Sequence, residues 1–455
     1  MKKYCFFWLV ICLPLFSGAQ TYGNEWINYA QKYYKIKVAK DGIYRVDSLT
    51  LAKAGVPISS IDPRNFQLFF RGKEQYVYIQ ESGGVFNKSS YIEFYGQHND
   101  GYLDSVLYPK GLSTPNPYYS LFNDTSTYYL TWNSSVSNHR MSLQNNVSFP
   151  ANGASYFIAK TVNYGNAEYY GGRRYLIDGL TASDPRYTCA EGWFNYELDM
   201  GQTQTYNLNI NPSLVYSPGP NALVKTLFAG ESDAGIPFDH QILINASWNV
   251  GPPLSNITLV DTFPVVTEQY FAPASKLTSP VSMTFTSVAL SIPSNITAIS
   301  YIYAQYPHTP NLGGAGNFML YVPDTSLGTT YLDLSNVGIV NAADTVRFYD
   351  LTNHKRIKVV QNTFDTCKVL VPNGGGLKQC YLTSDDSIYK VGQLIAAGVS
   401  GTFTDYTPLS RTGIPYIIIS SPVLGLQFGG AASNYAAYRT KTGYNTILAN
   451  VEELY

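Results

Sequence analysis

The sequence carries little charge, and the two signs nearly cancel. Charged residues make up 13% of its 455 residues, with 30 Lys and Arg against 31 Asp and Glu, which gives a formal net charge of -1. Soluble proteins usually have about 25% charged residues. Because binding to nucleic acid requires clustered cations, nucleic acid is not expected as a partner.

Long apolar runs are also missing. After the first twenty residues, no stretch approaches the ~18 uninterrupted apolar residues of a membrane-spanning helix, so none is expected in the mature chain. At the start, Lys2 and Lys3 precede an apolar run, residues 4–16, that is too short to span a bilayer. Ser17-Gly18-Ala19 then has the form of a signal-peptidase site. We therefore predict a signal peptide over residues 1–19 and a secreted protein.

Cysteine is scarce. Two of the five cysteines lie in the predicted signal peptide, which leaves Cys189, Cys367 and Cys380. Three are too few for a disulfide-built scaffold. Cys367 and Cys380 flank a turn at residues 372–376 almost symmetrically, so they are candidates to face each other across a hairpin. A disulfide there and two half-buried free thiols are equally supported alternatives.

Several motifs of catalytic or cofactor sites are absent. Gly72-Lys73 is followed by Glu74 and does not form a phosphate-binding loop, and Gly425-x-x-x-Gly429-Gly430 lacks the G-x-G-x-x-G spacing of a dinucleotide site. No pair of histidines forms H-E-x-x-H, which argues against zinc. The five histidines lie far apart, at His98, His139, His240, His308 and His354.

Three weaker site hypotheses remain. Nothing in the sequence brings His240 or another base to Cys189, so a packed thiol is favoured over a nucleophile there. Asn99-Asp100-Gly101-x-x-Asp104 and Asn123-Asp124-Thr125 are oxygen-rich, but Asx turns explain them as well as calcium does. The 40 Tyr residues suit either a sugar-binding face or cross-strand packing.

The residues that are abundant favour a mainly β protein. Hydrophobic residues make up 45% and aromatic residues 15%, which excludes disorder and favours strands. Apolar residues alternate with lysine at 34–38, which predicts a strand, and Asp47 is a suitable cap for a short helix at 48–54. The predicted order is an N-terminal β-rich domain (20–135), a linker (136–155), an antiparallel, jelly-roll-like β-sandwich (156–395), a second linker (396–412) and a β-α-β unit (413–455).

The last unit differs from the rest. The apolar run at 416–419 predicts a strand buried on both faces, followed by a helix at 431–442, a second strand at 444–448 and the start of a helix at 451–455. Ala432, Tyr435, Ala436 and Arg439 share one face of the predicted helix. Because two parallel strands with one helix leave apolar faces open, we expect the sequence to end within a larger α/β domain.

Several segments together resemble the gingipain-type cysteine peptidases of Bacteroidetes, a group that includes sortases of the type IX secretion system. These segments are residues 91–104, 117–132, 171–174, 184–187 with 191–193, and 416–455. Their common order in the chain makes the resemblance specific, although each motif alone is only moderately so. The final segment resembles the opening of the peptidase domain, which in this family has a caspase-like α/β fold.

The resemblance implies the N-terminal part of an exported peptidase at the periplasm or the outer-membrane surface. The family's catalytic His and Cys follow later in the peptidase domain, so no residue of this sequence is predicted to be catalytic, to bind a cofactor or to bind a metal, with calcium as an open alternative. Protein or peptide substrates and the secretion machinery are the implied partners. The alternative function is a non-catalytic surface module that binds glycan or secretion partners.

Overall fold

A computed structural model describes most of the chain. The described residues are 23–81, 84–108, 114–134, 138–170, 174–177, 180–183, 190–234, 236–259, 263–278, 280–292, 294–339, 344–363, 365–398, 400–406, 415–426 and 430–454. The predicted signal peptide at residues 1–19 lies outside them. No helix among the described residues is long and apolar enough to cross a membrane.

The described chain is mainly β, as predicted, and its few helices are short. The helices are α1 (Ser48–Lys53), α2 (Pro422–Leu426), α3 (Ala431–Lys441) and α4 (Val451–Leu454). The strands begin with β1 (Tyr34–Val38), β2 (Gly42–Asp47), β3 (Phe66–Phe70), β4 (Lys73–Glu74), β5 (Tyr78–Gln80), β6 (Tyr91–Gly96), β7 (Ser126–Trp132), β8 (Ser142–Gln144), β9 (Phe157–Tyr164), β10 (Glu168–Tyr170), β11 (Arg174–Ile177), β12 (Leu180–Ser183), β13 (Gly192–Phe194), β14 (Thr203–Asn207), β15 (Ala222–Gly230) and β16 (His240–Ala246). They continue with β17 (Ser255–Leu259), β18 (Val265–Ala272), β19 (Ser282–Ser287), β20 (Thr297–His308), β21 (Asn317–Val322), β22 (Thr329–Leu334), β23 (Val346–Asp350), β24 (Lys355–Ile357), β25 (Val360–Thr363), β26 (Thr366–Pro372), β27 (Lys378–Ser384), β28 (Tyr389–Lys390), β29 (Ile395–Ala396), β30 (Pro415–Ser420) and β31 (Asn445–Asn450).

The chain divides into two compact units. The smaller unit takes in the described residues of Met1–Tyr33, Phe69–Glu74 and Ala396–Tyr455, and the larger one comprises Tyr34–Leu68 and Gln75–Ile395. The larger unit contains strands of both predicted β domains, and β2 pairs in parallel with β28. The stretch predicted as a linker at 136–155 contains β8, which pairs with β24. The other predicted domain boundaries stay predictions.

A β-sandwich forms most of the larger unit. A nine-stranded sheet has the order β18-β15-β20-β9-β21-β27-β23-β24-β8, and every neighbouring pair except β24-β8 is antiparallel. Its core side chains, such as Ile302, cluster with Phe285 of the four-stranded sheet β14-β19-β16-β17 and Val369 of the three-stranded sheet β22-β26-β25. The nine-stranded sheet therefore shares one core with both smaller sheets, which confirms the predicted antiparallel sandwich.

Local sequence patterns explain several of these elements. Along β16, buried and half-buried residues alternate, because successive side chains of a strand point to opposite faces. Asp47 caps α1: its Oδ1 accepts a hydrogen bond from the Thr50 N–H at 2.7 Å. β1 departs from its pattern, since Lys37 is exposed but Lys35 is buried.

The smaller unit contains a parallel β-α-β arrangement, as predicted. β30 pairs in parallel with β31 from Pro415↔Asn445 to Ser420↔Asn450. Helix α3 contacts these strands, and its Arg439 guanidinium lies 4.5 Å from the ring centroid of Tyr416. The helix ends before Gly443, whose φ of 94° favours glycine.

The predicted burial of β30 on both faces is wrong for this chain. Ile417 is 63% exposed and Ile419 is 60% exposed, whereas the alternate residues Tyr416 and Ile418 are half-buried. Helix α3 contacts the two-stranded sheet. An apolar run in the sequence predicts that a strand forms. How deeply that strand is buried depends on which other elements cover the sheet.

Candidate functional site

Cys367 and Cys380 do not form the predicted hairpin pair. Cys367 lies in β26, which pairs with β22 and β25, whereas Cys380 lies in β27, which pairs with β21 and β23. Both are free thiols and fully buried. Burial raises the pKa of Cys367 to about 12 and that of Cys380 well above its usual range, so both thiols stay protonated at neutral pH. The alternative of two packed thiols is the one that the structure shows.

Of the possible Cys189–His240 pair, only His240 is among the residues that the structure describes. Cys189 lies outside the described residues. His240 is fully buried, with its Nε2 3.0 Å from the Ser232 carbonyl oxygen and its Nδ1 3.3 Å from Asn295 Oδ1. These contacts hold the imidazole within the sandwich core, so His240 has a packing role.

The two oxygen-rich loops lie next to each other. The Asn99 N–H donates to the Asp124 carbonyl oxygen at 2.9 Å, and Asp104 Oδ2 accepts from the Leu121 N–H at 2.8 Å. Asp100 and Asn123 each accept a backbone N–H two residues ahead, at Tyr102 and Thr125. The described residues contain no group of three His, Cys, Asp or Glu that could hold a metal ion. Both loops form Asx turns, as one of the two alternatives for them predicts.

Five aromatic rings line up at one place on the larger unit, which we call the aromatic surface: Tyr118, Tyr119, Tyr164, Tyr169 and Trp193. The ring of Tyr164 stacks on Tyr118 at 6.5 Å and on Tyr119 at 5.8 Å. Trp193 meets Tyr119 and Tyr169 edge-on at 5.7 and 5.5 Å. The pairing of β10 with β13 places Tyr169 opposite Trp193. The aromatic surface therefore contains both stacked and edge-to-face ring pairs, the two arrangements that aromatic side chains prefer.

The aromatic surface is partly open to solvent. Tyr169 is exposed, and the other four side chains are half-buried. Burial raises the pKa of Tyr118, Tyr164 and Tyr169, so their phenols are neutral at neutral pH. The Trp193 Nε1–H is buried and has no hydrogen-bond partner among the described residues. Partly exposed aromatic rings in this arrangement are suited to stacking on a polar, uncharged ligand.

A second concentration of side chains, the arginine cluster, lies between two sheets of the larger unit. It consists of Arg45, Glu93, Arg347, Arg356 and Asp385. Arg45 donates from Nε and Nη2 to Glu93 Oε1 at 2.8 and 2.6 Å, and from Nη2 to Asp385 Oδ1 at 2.8 Å. Arg347 binds both carboxylate oxygens of Asp385, with Nη2···Oδ2 at 2.8 Å. Three guanidinium groups thus face two carboxylates.

The arginine cluster lies in a low-dielectric environment. Glu93 is fully buried, and its Oε2 accepts a 2.6 Å hydrogen bond from the Tyr349 hydroxyl, whose pKa is raised by burial and by Glu93. Burial alone would raise the pKa of Asp385, but hydrogen bonds from Arg347, Thr345 and Arg45 lower it to about 2. The Asp385 carboxylate and the Tyr349 phenol therefore do not exchange protons near pH 7, and the cluster is suited to holding the two sheets together.

The comparisons with known proteins give a fold and no sequence family. No family model matches the sequence, and no curated protein matches it. Among solved structures, the dimeric latent PorU from Porphyromonas gingivalis matches over 94% of this chain and 38% of its own, with a TM-score of 0.53 and 13% sequence identity. The chain therefore has a PorU-like fold and spans 38% of the length of that PorU chain.

Two further solved structures have much weaker similarity. The glycoside hydrolase domain of Endo-D from Streptococcus pneumoniae R6 has a TM-score of 0.16 at 10% identity, over 49% of this chain and 40% of its own. The insecticidal delta-endotoxin Cry8Ea1 from Bacillus thuringiensis has a TM-score of 0.17 at 11% identity, over 61% and 52%. Such TM-scores support no argument about this chain.

The PorU-like fold, with its antiparallel sheets, confirms the mainly β architecture that the sequence predicts. Of the segments that carried the resemblance, residues 91–104 and 117–132 lie around β6 and β7, and 416–426 and 430–454 form the parallel unit. Residues 171–173 and 184–189 lie outside the described residues. The arginine cluster was missed by sequence reasoning, since Arg45 and Asp385 are 340 positions apart and neither lies in a recognisable motif.

Proposed function

We propose that this chain is the N-terminal region of an exported gingipain-like cysteine peptidase, and within that class of a PorU-like sortase of the type IX secretion system. The observation that carries the proposal is the PorU-like fold over 94% of the chain. The parallel unit of β30, α3 and β31 supports it, because parallel strands are characteristic of layered α/β domains such as the peptidase domain of this family.

In this proposal the chemistry belongs to residues beyond Tyr455. A Cys thiolate attacks a peptide carbonyl, a His carries the proton to the leaving amine, and backbone N–H groups stabilise the oxyanion. The acyl group then passes to water in proteolysis or to an amine in transpeptidation. The β-rich region described above precedes that domain, and its partners are exported proteins and components of the secretion machinery.

The exposed isoleucines of β30 provide the test. In the proposed full-length protein, Ile417 and Ile419 are covered by further elements of the peptidase domain, whereas both are more than half exposed in the 455-residue chain. Ile419→Asp should therefore leave the unfolding free energy of this chain unchanged. In the longer protein, the same substitution should cost more than about 2 kcal/mol, because it buries a charge. Chemical denaturation of both lengths measures the difference.

Ala437→Asp is the matched control. Ala437 is an exposed residue of helix α3, so it should respond similarly in both lengths. Equal effects of Ile419→Asp in both lengths would contradict the proposal, as would a reading frame that stops directly after Tyr455. A longer frame should also encode a downstream His and Cys, and replacing that Cys with Ala should abolish peptide cleavage.

The aromatic surface favours a second function, binding of a glycan. Sugar rings are polar and uncharged, and they stack on aromatic rings of the kind found at Tyr119, Tyr164 and Trp193. We expect Trp193→Ala to reduce glycan binding by the whole chain about tenfold or more, measured on a glycan array and then by calorimetry. Phe271→Ala, at an exposed aromatic residue outside this surface, should have no effect. Absence of binding above background, or equal loss in both variants, would remove this function.

A further inference from the structure

Two sheets of the larger unit end in short strands that separate from each other. β5 is the terminal strand of the four-stranded sheet β28-β2-β6-β5, and β8 is the terminal strand of the nine-stranded sheet. Their chains meet at Val77, whose N–H donates to the His139 carbonyl oxygen at 3.4 Å and whose carbonyl accepts from the Met141 N–H at 2.9 Å. Beyond this point the chains diverge around a cavity of about 340 Å³, which we call the edge cleft.

The main chains on both sides of the edge cleft direct polar groups into it. The Ser142 N–H donates to the His354 carbonyl oxygen, and the Gln144 carbonyl accepts from the Lys358 N–H, so Ser142 and Gln144 are hydrogen-bonded toward β24. Because the main-chain groups of successive strand residues point to opposite sides, those of Leu143 point away from β24 and into the cleft.

The same alternation applies on the other side. Val77 is hydrogen-bonded toward the β8 chain, so the main-chain groups of Tyr78 point toward β6 and those of Ile79 point into the edge cleft. Within the described parts of the chain, the structure shows no backbone hydrogen bond from Ile79 or Leu143 across the cleft. Ile79 and Leu143 each direct one N–H donor and one carbonyl acceptor into the cleft. The edges of β5 and β8 thus face the cleft from two sides without pairing across it.

The edge cleft is lined by four apolar side chains and by five polar or charged ones, which are Arg64, Tyr78, Gln80, Glu81 and Arg140. Pro63, Ile79, Met141 and Leu143 line it, and Leu143 is 58% exposed although it is large and apolar. The Arg140 guanidinium donates to the Arg64 and Phe66 carbonyl oxygens at 2.6 Å each, which fixes one end of the cleft. The volume lies at the low end of the ~300–1,000 Å³ range of ligand pockets, so a short segment fits and a folded domain does not.

A positive charge, the Arg356 guanidinium, lies behind the wall of the edge cleft and is not itself among the residues that line it. Arg356 pairs in register with Leu143, and its guanidinium lies 4.0 Å from the ring centroid of Tyr78, another residue of the cleft wall. Its nearest carboxylate is that of Glu93, with Nη1···Oε2 at 3.7 Å, longer than a hydrogen bond. Arg356 is thus the third guanidinium of the arginine cluster, the one that the two carboxylates leave least satisfied.

We propose that the edge cleft binds an extended peptide segment that carries an acidic residue, as a β-strand added between β5 and β8. Main-chain hydrogen bonds to Ile79 and Leu143 supply the affinity, as in other cases of strand addition to a sheet edge. Apolar side chains of the segment pack on Met141 and Leu143, and its carboxylate pairs with Arg356. This site belongs to the β-rich region and does not depend on the proposed peptidase function.

Synthetic peptides test this proposal with the whole chain. The probe is a fluorescein-labelled octapeptide of alternating valine and threonine with one central glutamate, and fluorescence anisotropy follows its binding. We expect saturable binding below about 1 mM. N-methylation of alternate peptide nitrogens on the bonding edge removes main-chain donors without changing the side chains, and it should weaken binding about tenfold. A central lysine in place of glutamate should weaken binding several-fold.

Two protein variants separate main-chain from side-chain effects. Leu143→Pro removes the N–H donor of Leu143 and should weaken binding about tenfold, whereas Leu143→Ala keeps the donor and should cost less. Circular dichroism and the unfolding midpoint check that both variants fold, and if Leu143→Pro does not fold, the N-methylated peptide decides. Arg356→Gln should remove the preference for glutamate over lysine.

Three outcomes would overturn the proposal. The first is the absence of saturable binding by any of these peptides below about 1 mM. The second is equal binding of the N-methylated and unmodified peptides, which would leave no role for strand addition. The third is concentration-dependent self-association of the chain that Leu143→Pro abolishes and that the peptides do not compete with, because a second copy would then be the occupant of the cleft.

Discussion

At the scale of single residues, the arginine cluster is where the larger unit concentrates its charge. Glu93 is fully buried and accepts hydrogen bonds from Arg45 and Tyr349. Burying a carboxylate costs several kcal/mol unless it is paired and hydrogen-bonded, so the cluster tolerates Glu93 only while its partners are in place. Asp385 has the complementary role, because it binds Arg45 and Arg347 together.

This role predicts a pH-dependent contribution of Asp385 to stability, which Asp385→Asn should remove. The pKa of Asp385 in the folded protein, about 2, lies below its usual value of 3.8. Asp385 therefore contributes stability that is present above about pH 4 and is lost as the pH falls toward 2. Replacement by Asn should lower the unfolding free energy at pH 7 by about 1–3 kcal/mol and should flatten its decline between pH 4 and pH 2. Urea unfolding across this pH range measures both effects.

An exposed carboxylate gives the control for this prediction. Asp199 is exposed in the described structure, and Asp199→Asn should change stability by less than about 0.5 kcal/mol at pH 7. An Asp385→Asn variant that is as stable as the wild type at pH 7, and that still loses stability between pH 4 and pH 2 as the wild type does, would show that Asp385 does not stabilise the cluster.

At the scale of elements, the sequence predicts what neighbouring residues determine. The strand at residues 34–38 and the cap of α1 by Asp47 follow from patterns within a few positions, and both are confirmed. Gly443 terminates α3 for the same reason, since its positive φ is a local property. The strand predicted at 444–448 also appears, as β31 with its ends shifted by one or two residues.

Elements that depend on distant partners were predicted less well. β8 lies in a stretch without periodicity, and it is a strand because it pairs with β24, more than 200 positions later. Cys367 and Cys380 flank a turn, but their strands pair with β22 and with β21 and β23 rather than with each other. The aromatic surface was anticipated only as a surplus of tyrosine, because the contact of Tyr119 with Trp193 joins residues 74 positions apart. Composition shows which residue types are available for a site, whereas the pairing of the strands determines which of those residues meet.

At the scale of the whole molecule, the chain has a PorU-like fold but its described thiols are unsuited to catalysis. Cys367 and Cys380 are fully buried, and burial raises the pKa of both, so the reactive thiolate is not formed at neutral pH. Neither thiol has access to a substrate. The peptidase activity that we propose for a longer protein therefore requires groups other than these two.

We therefore predict that the isolated 455-residue chain does not hydrolyse peptides. Fluorogenic peptides incubated with the chain under reducing conditions should be cleaved no faster than in buffer, and a papain-type enzyme serves as the positive control. Iodoacetamide should label neither Cys367 nor Cys380 in the folded chain and should label both after unfolding in urea, because unfolding exposes the thiols and returns their pKa to the ordinary range. The chain is used without residues 1–19, which removes Cys5 and Cys12, and Cys189→Ser then separates the remaining thiol from these two. Cleavage that iodoacetamide blocks, and that persists in Cys189→Ser, would place a working nucleophile at Cys367 or Cys380 and would contradict both their burial and the proposed location of the catalytic residues beyond Tyr455.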